Sequence, residues 1–144
     1  MAFDSKGTGL TVVRVCIGVF LFAEGCTKLT WLLSSEPLVR QLTGWIERGN
    51  TFSLWYLHTI ALPGAPVFAR LVLFGELAAG LALVLGVLTR PAAAAAAFMV
   101  LNFHVASARI FDAAFLTNGY GLPVLGALLG LAVGGTRLPL SLRR

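Results

Sequence analysis

The sequence predicts an all-α integral membrane protein: an antiparallel bundle of four transmembrane helices with an interfacial helix in the first connection. Of its 144 residues, 58% are hydrophobic and only 12% are charged, whereas soluble domains carry about 25% charged residues. The mean hydropathy of +0.87 points the same way. Since one span needs about 20 apolar residues, four spans and their connections fill a single domain of this length.

Apolar runs and turn residues place the four spans along the chain. The last span carries a ridge of small residues that favours helix packing, Gly126, Gly130 and Gly134. Charges inside the first span oppose its removal as a signal peptide, so we expect it to be retained. The predicted spans cover residues of about 10–31, 67–88, 92–109 and 118–136.

The long first connection, residues 36–62, has structure of its own. Glu36 and Pro37 form a typical helix start. The helix that follows has one apolar face, which predicts that it lies in the membrane interface. A second short helix is expected near Phe52 to Leu62, where aromatic residues typical of an interface gather. The apolar face of the first helix consists of Leu38, Leu42, Trp45 and Ile46.

Ionisable residues interrupt two of the spans, where each is costly and therefore indicates a functional or buried position. At about 100° per residue, the first span places Arg14, Gly18, Leu21, Gly25 and Lys28 in one stripe, with Glu24 at its edge. The second span repeats the pattern with Glu76, Gly80, Leu83, Val87 and Arg90.

An up-and-down bundle brings most of the polar residues into the half of the membrane away from the termini. We expect Glu24, Lys28 and Glu76 to point inward and to pair with one another or with Arg70. The alternative is an internally neutralised ion-pair network that only fixes helix register. Arg14 and Arg90, towards the opposite face, are interpreted as snorkelling or positive-inside residues. The candidate ligand-binding or buried polar cluster is Glu24, Lys28, Arg70, Glu76, His104 and Tyr120.

The cofactor chemistry available to this cluster is limited. No metal-ligand motif and no covalent cofactor attachment motif occurs, and we expect neither a metal nor a covalently bound cofactor. A haem would have to use His58 and His104, the only histidines, and is disfavoured. A quinone that hydrogen-bonds to His104 or Tyr120 is favoured over a haem. A His104 that only caps a loop is favoured over both.

The net charge of +5 does not indicate nucleic-acid binding, because the basic residues form no continuous face interleaved with aromatic residues. They are better interpreted as a topology signal and as contacts to anionic lipid. Placing both termini inside collects five basic residues there, which predicts cytoplasmic termini. These residues are Lys6, Arg90, Arg137, Arg143 and Arg144.

Two motifs resemble the DoxX family. The first span reads Arg14-x3-Gly18-x3-Phe22-x2-Gly25-x2-Lys28, and the second reads Gly75-Glu76-x3-Gly80-x2-Leu83-x2-Gly86-x2-Thr89-Arg90. The resemblance implies a four-span protein of a prokaryotic cytoplasmic membrane, in a family named after a subunit of a thiosulfate:quinone oxidoreductase. The signature positions that it carries over are Arg14, Gly18, Gly25, Lys28, Glu76, Gly80 and Arg90.

Two functions of different classes follow, and the sequence leaves open whether the chain is itself an enzyme. One is a subunit of a quinone-linked oxidoreductase, whose polar cluster binds quinone or a partner. The other is a non-catalytic assembly or accessory subunit that docks through the glycine ridge and the amphipathic connection. A small-molecule transporter is a third hypothesis, and four spans would need to oligomerise to form a pathway. The expected partners are membrane lipid and other membrane subunits or further copies of the chain. Any ligand should lie beside residues 36–66.

Overall fold

A computed structural model describes residues 5–142, which contain six α-helices and no β-strand. The four longer helices pack in a closed ring, with α1 on α4, α4 on α5, α5 on α6 and α6 on α1. The shorter α2 and α3 fill the connection between α1 and α4. The helices are α1 (Ser5–Thr27), α2 (Glu36–Ile46), α3 (Thr51–Tyr56), α4 (Ala65–Leu85), α5 (Thr89–Ala106) and α6 (Leu122–Gly134).

Two of these helices are long and apolar enough to cross a membrane. They are the segments Lys6–Thr27 and Ala65–Leu85, with mean hydropathies of 1.7 and 2.0. α5 has 18 residues, and the apolar α6 has 13. The outward faces of the longer helices expose large apolar side chains, as expected for surfaces that meet lipid; examples are Val12, Val19, Val67, Leu71, Phe74, Phe98 and Val133.

The helix boundaries differ from the predicted spans, most of all in the last one. The predicted start near residue 118 is wrong, because the Asn118 side chain accepts a hydrogen bond from the Tyr120 backbone N–H and closes a turn there. α6 begins only at Leu122, with Pro123 in its first turn, where no N–H is needed. The first helix ends at Thr27 rather than near 31, and residues Leu29–Leu32 form a tighter 3-10 turn.

The turn between α4 and α5 lies three residues earlier than predicted, because Gly86 ends α4 early. Gly86 takes φ +69°, and the N–H of Val87 bonds the carbonyl of Ala82, which closes the helix end. α5 then starts at Thr89 rather than at 92. Pro91 lies in its first turn, where the missing N–H leaves no hydrogen bond unmade.

The connection helices pack onto α4 and α5. Leu38 and Leu42 of α2 are buried. Asn50 caps α3 by accepting a hydrogen bond from the Ser53 N–H at 2.8 Å. The buried Ser53 hydroxyl donates to the carbonyl of Ala106 at the end of α5, at 2.6 Å. The connection is thereby held against the same end of the bundle as the polar residues.

Glycines allow the closest approach in the bundle, between α1 and α4. A Cβ built on Gly80 would lie 2.5 Å from the backbone nitrogen of Phe22, and one on Gly18 would lie 2.8 Å from that of Val84. Gly25, in the last turn of α1, is covered by the Leu77 side chain. Only glycine permits this backbone separation, which brings the end of α1 against the middle of α4.

Candidate functional site

Lys28 joins two carboxylates from two helices. Its Nζ lies 3.0 Å from Glu24 Oε2, one turn back on α1, and 2.8 Å from Glu76 Oε2 on α4. The side chains of Lys28 and Glu76 are only 15% and 10% exposed, whereas that of Glu24 is 32% exposed. The Lys28 ammonium also lies 5.9 Å from the centre of the Trp31 ring. The group is thus a largely buried triad with one partly accessible carboxylate.

A cavity of about 330 Å³ opens beside this triad. α5 and the segment before α6 supply further polar side chains to its wall, and α2 supplies Gln41. Phe20, Trp45 and Phe103 make its aromatic sides, and Phe20 stacks obliquely on Tyr120 at 5.4 Å between ring centres. The polar residues that line it besides the triad are Gln41, His104, Ser107, Arg109, Asn118 and Tyr120.

The cavity offers both donors and acceptors of hydrogen bonds. Lys28 bonds only the Oε2 atom of each carboxylate, so both Oε1 atoms keep their lone pairs within the described part of the chain. The Gln41 amide, the Arg109 guanidinium and the Tyr120 hydroxyl make no side-chain hydrogen bond to any described residue. A polar ligand could therefore find partners of both kinds.

His104 is held by the fold. It is 6% exposed, its Nε2 lies 2.9 Å from the carbonyl oxygen of Tyr120, and its ring packs edge-on against Phe115 at 5.0 Å. The imidazole therefore fixes the loop that carries Tyr120. His58 lies on the exposed side of the connection.

Arg70 stands apart from the triad, although the sequence groups it there. Its Nη1 donates to the carbonyl of Pro66 in its own helix at 2.7 Å, and it does not line the cavity. The reason is helical geometry. Arg70 precedes Glu76 by six residues, which turns it about 120° away around the helix axis.

An apolar cavity of about 280 Å³ adjoins the polar one. The two share Trp45 and Phe103, whose rings meet edge to face at 5.8 Å. Leu42, Leu71 and Met99 are among its apolar walls. Its main polar feature is the Tyr56 hydroxyl, which is hydrogen-bonded to the Asn102 side chain. A polar compartment and an apolar one thus meet at this pair of aromatic rings.

The interpretation of Arg14 as a snorkelling residue is wrong. Its side chain is 0% exposed, and its guanidinium binds the chain segment after α6. Nη2 donates to the carbonyls of Leu140 at 2.9 Å and Pro139 at 3.4 Å, and Nη1 donates to Ser141 Oγ at 3.1 Å. The sequence could not show this, because the acceptors lie more than 120 residues away. Arg90, by contrast, is exposed and donates Nε to the carbonyl of Ala132.

The glycine ridge of α6 mostly faces outward. A Cβ built on Gly126 or Gly130 would meet nothing within 4 Å, and one on Gly134 would meet only Leu10 at 3.3 Å. Among residues 5–142, no group of three His, Cys, Asp or Glu side chains is placed to hold a metal ion. Arg143 and Arg144, which enter the topology prediction, lie outside the described residues.

The family comparison covers most of the chain. The DoxX family model matches residues 9–109, a segment that includes most of α1, all of α2 to α5 and both charged stripes. No curated protein and no solved structure matches the chain.

Proposed function

The chain belongs to the DoxX family of membrane proteins, and we propose that it is the four-span membrane subunit of a quinone-linked oxidoreductase. In this proposal the polar cavity beside Lys28 binds the quinone head. The membrane is a prokaryotic cytoplasmic membrane, with both termini on the cytoplasmic side.

The closed ring of α1, α4, α5 and α6 supports four spans. α5 and α6 are shorter than the two membrane-length helices, but they pack along them and complete the same bundle. The first and last helices bring residues 5 and 142 to one end, where the N–H of Leu142 bonds the carbonyl of Leu85. Short spans are accommodated by local thinning of the bilayer or by flanking polar side chains.

The observation that carries the proposal is the mixed hydrogen-bonding character of the polar cavity. A quinone has two carbonyl oxygens that only accept hydrogen bonds, whereas the reduced quinol also donates them. The free donors of Gln41, Arg109 and Tyr120 fit the first form, and the Oε1 atoms of Glu24 and Glu76 fit the second. The aromatic rings of Phe20 and Phe103 suit a flat ring between them.

The adjoining apolar cavity supports an amphiphile rather than a small polar solute. A head in the polar compartment would extend its isoprenoid tail past Trp45 and Phe103, along the apolar walls near Leu71 and Met99. Pockets of about this size with a few convergent polar groups are typical of small-molecule sites.

The residues of this chain would bind the head, orient it and move protons. Quinone reduction consumes two electrons and two protons; a partner protein that carries a redox centre supplies the electrons. Glu24 is the exposed member of the triad and exchanges protons with water, while Lys28 links it to the more buried Glu76. Lys28 contacts both carboxylates, so its positive charge lowers the free-energy cost of placing them inside the membrane.

Tryptophan fluorescence tests this binding, because Trp45 lies in the wall of both cavities. Decylubiquinone added to the purified protein in mild detergent should quench the emission saturably. The W45F variant should lose most of the saturable component, and the W55F variant, whose residue is 53% exposed, should keep it. Unsaturable quenching, or equal quenching in both variants, would contradict the proposal.

One observation favours the second function, an assembly or accessory subunit. The open ridge at Gly126 and Gly130 can receive another helix at close range. If this ridge binds a partner subunit, G126L and G130L should lose co-purification with it while the isolated chain keeps its stability. A G44A control, on the open side of α2, should retain the partner.

A further inference from the structure

The opposite end of the bundle contains a smaller polar cavity of about 200 Å³. It lies where the turn between α4 and α5 meets the segment after α6, and Thr89, Arg90, Arg137 and Ser141 line it. We propose that this cavity binds the phosphate group of an anionic phospholipid. The inference needs only membrane association and does not depend on quinone binding at the other end.

The local charge is strongly positive. Lys6, Arg14, Arg90 and Arg137 all lie at this end of the bundle. The acidic residues within positions 5–142 belong to the other half or to the connections there: Glu24, Glu36, Glu47, Glu76 and Asp112. The described part of this end therefore carries cations without carboxylates to neutralise them, so an anion is attracted.

The two arginines in the cavity wall keep donors available. Arg90 uses only Nε, for the carbonyl of Ala132, so both of its Nη groups have no acceptor among residues 5–142. Arg137 is exposed, and its guanidinium has no hydrogen bond or ion pair with any described side chain or backbone group. Guanidinium groups bind phosphate oxygens in pairs, which makes two free arginines an effective phosphate clamp.

A third arginine lies directly behind the wall. Arg14 is fully buried, and its Nη1 contacts Ser141, whose neighbourhood also includes Gly86 of the cavity wall. Within the described residues, the Nε of Arg14 has no hydrogen-bond partner. Because Nη1 contacts Ser141 in the cavity wall, the positive charge of Arg14 acts on the cavity from the protein side. The first backbone N–H groups of α5, from Thr89 onward, add positive potential.

Exposed leucines beside the cavity favour a phospholipid over free phosphate. Leu88 lines the cavity and is 64% exposed, and Leu140 and Leu142 on either side of Ser141 are 85% and 74% exposed. Acyl chains would cover these side chains, whereas a soluble anion would leave them in contact with water. Basic groups beside apolar surface at the end of a helix bundle are typical of anionic headgroup sites.

Lipid binding can be measured by native mass spectrometry of the detergent-solubilised protein. Phosphatidylglycerol should be retained at concentrations at which phosphatidylcholine is not, and excess inorganic phosphate should not displace it. R137Q should weaken retention roughly fivefold, the effect expected for one basic residue at a lipid surface, and R90Q/R137Q should abolish the preference. R48Q, an exposed arginine at the other end, is the charge-matched control and should match wild type.

R137Q removes a side chain with no hydrogen bond to the described residues, so this variant tests the site even if R90Q disturbs the contact with α6. Equal retention of phosphatidylglycerol by wild type and R137Q would overturn the proposal. Equal retention of the two lipids by wild type would also overturn it. Displacement by inorganic phosphate at comparable concentration would show that a free anion, rather than a lipid, is the ligand.

Discussion

Lys28 Nζ lies 2.8 Å from Glu76 Oε2, and this contact joins the residue that follows α1 to the middle of α4. Both side chains are largely buried, so each carries a charge that the other must compensate. Gly18 lies about three turns before Lys28 and Gly80 about one turn after Glu76, and the two glycines set the distance between the helices. The ion pair and the glycine contact are therefore two parts of one interface.

Replacement of Glu76 by glutamine should weaken both the bundle and ligand binding. The amide keeps the shape but leaves Lys28 with one carboxylate, so we expect a loss of about 1–3 kcal/mol in the free energy of unfolding and at least tenfold weaker quinone binding. E47Q, the same change on an exposed residue, is the control and should change neither. Unfolding in detergent and fluorescence titration measure both; wild-type values for E76Q would contradict the account.

A methyl group at position 80 should force α1 and α4 apart. The new Cβ would meet the backbone of Phe22 and of Gly18, which cannot move aside as a flexible side chain can. We expect G80A to lower the free energy of unfolding by about 1–3 kcal/mol. G44A, where a Cβ meets nothing within 4 Å, should be neutral or slightly stabilising. Thermal unfolding of G80A and G44A in the same detergent measures this difference. Equal stability of the two variants would refute the close packing of α1 against α4.

Variants of Tyr120 and His104 should separate effects on quinone binding from effects on the stability of the fold. The Tyr120 hydroxyl makes no hydrogen bond to a described residue, so Y120F should leave the melting temperature unchanged and weaken quinone binding severalfold. H104F keeps the contact with Phe115 but loses the hydrogen bond to the Tyr120 carbonyl. It should cost about 1 kcal/mol in the free energy of unfolding. If Y120F binds quinone like wild type, the hydroxyl does not face the ligand.

Loss of the Arg14 guanidinium should release the segment after α6. R14Q removes the donors that hold the carbonyls of Pro139 and Leu140 and the hydroxyl of Ser141. Because hydrogen bonds from charged groups contribute about 1.5–3 kcal/mol, trypsin should cleave after the exposed Arg137 at least roughly tenfold faster. R70Q, whose arginine bonds only within its own helix, is the control. Equal cleavage of the two variants would argue against this anchoring role.

The sequence predicted the helical class and the two charged stripes because both depend on local periodicity. In the first span, helical spacing places Gly18, Gly25 and Lys28 on one face of the helix. In the second span it does the same for Glu76 and Gly80. Membership of the DoxX family is confirmed by the match over residues 9–109.

The rest depended on contacts between distant segments. The burial of Arg14 requires the chain to return from residue 138 onward, which no periodicity in the first span encodes. Gln41 was missed as a cavity residue because it lies on the polar face of α2, where exposure to water is the ordinary expectation. The predicted start of the last span near residue 118 failed likewise, since an Asn side chain serves a turn as well as a helix start.

Photolabelling with an azido-quinone tests the central claim most directly, because it reports where the head binds. The reagent is added to the protein in mild detergent and the labelled peptides are mapped by mass spectrometry. The account predicts labels within residues 20–45 and 100–124, reduced by excess decylubiquinone and by E76Q. Labels confined to the opposite end near Arg90 and Arg137, or labels that excess quinone does not reduce, would contradict it.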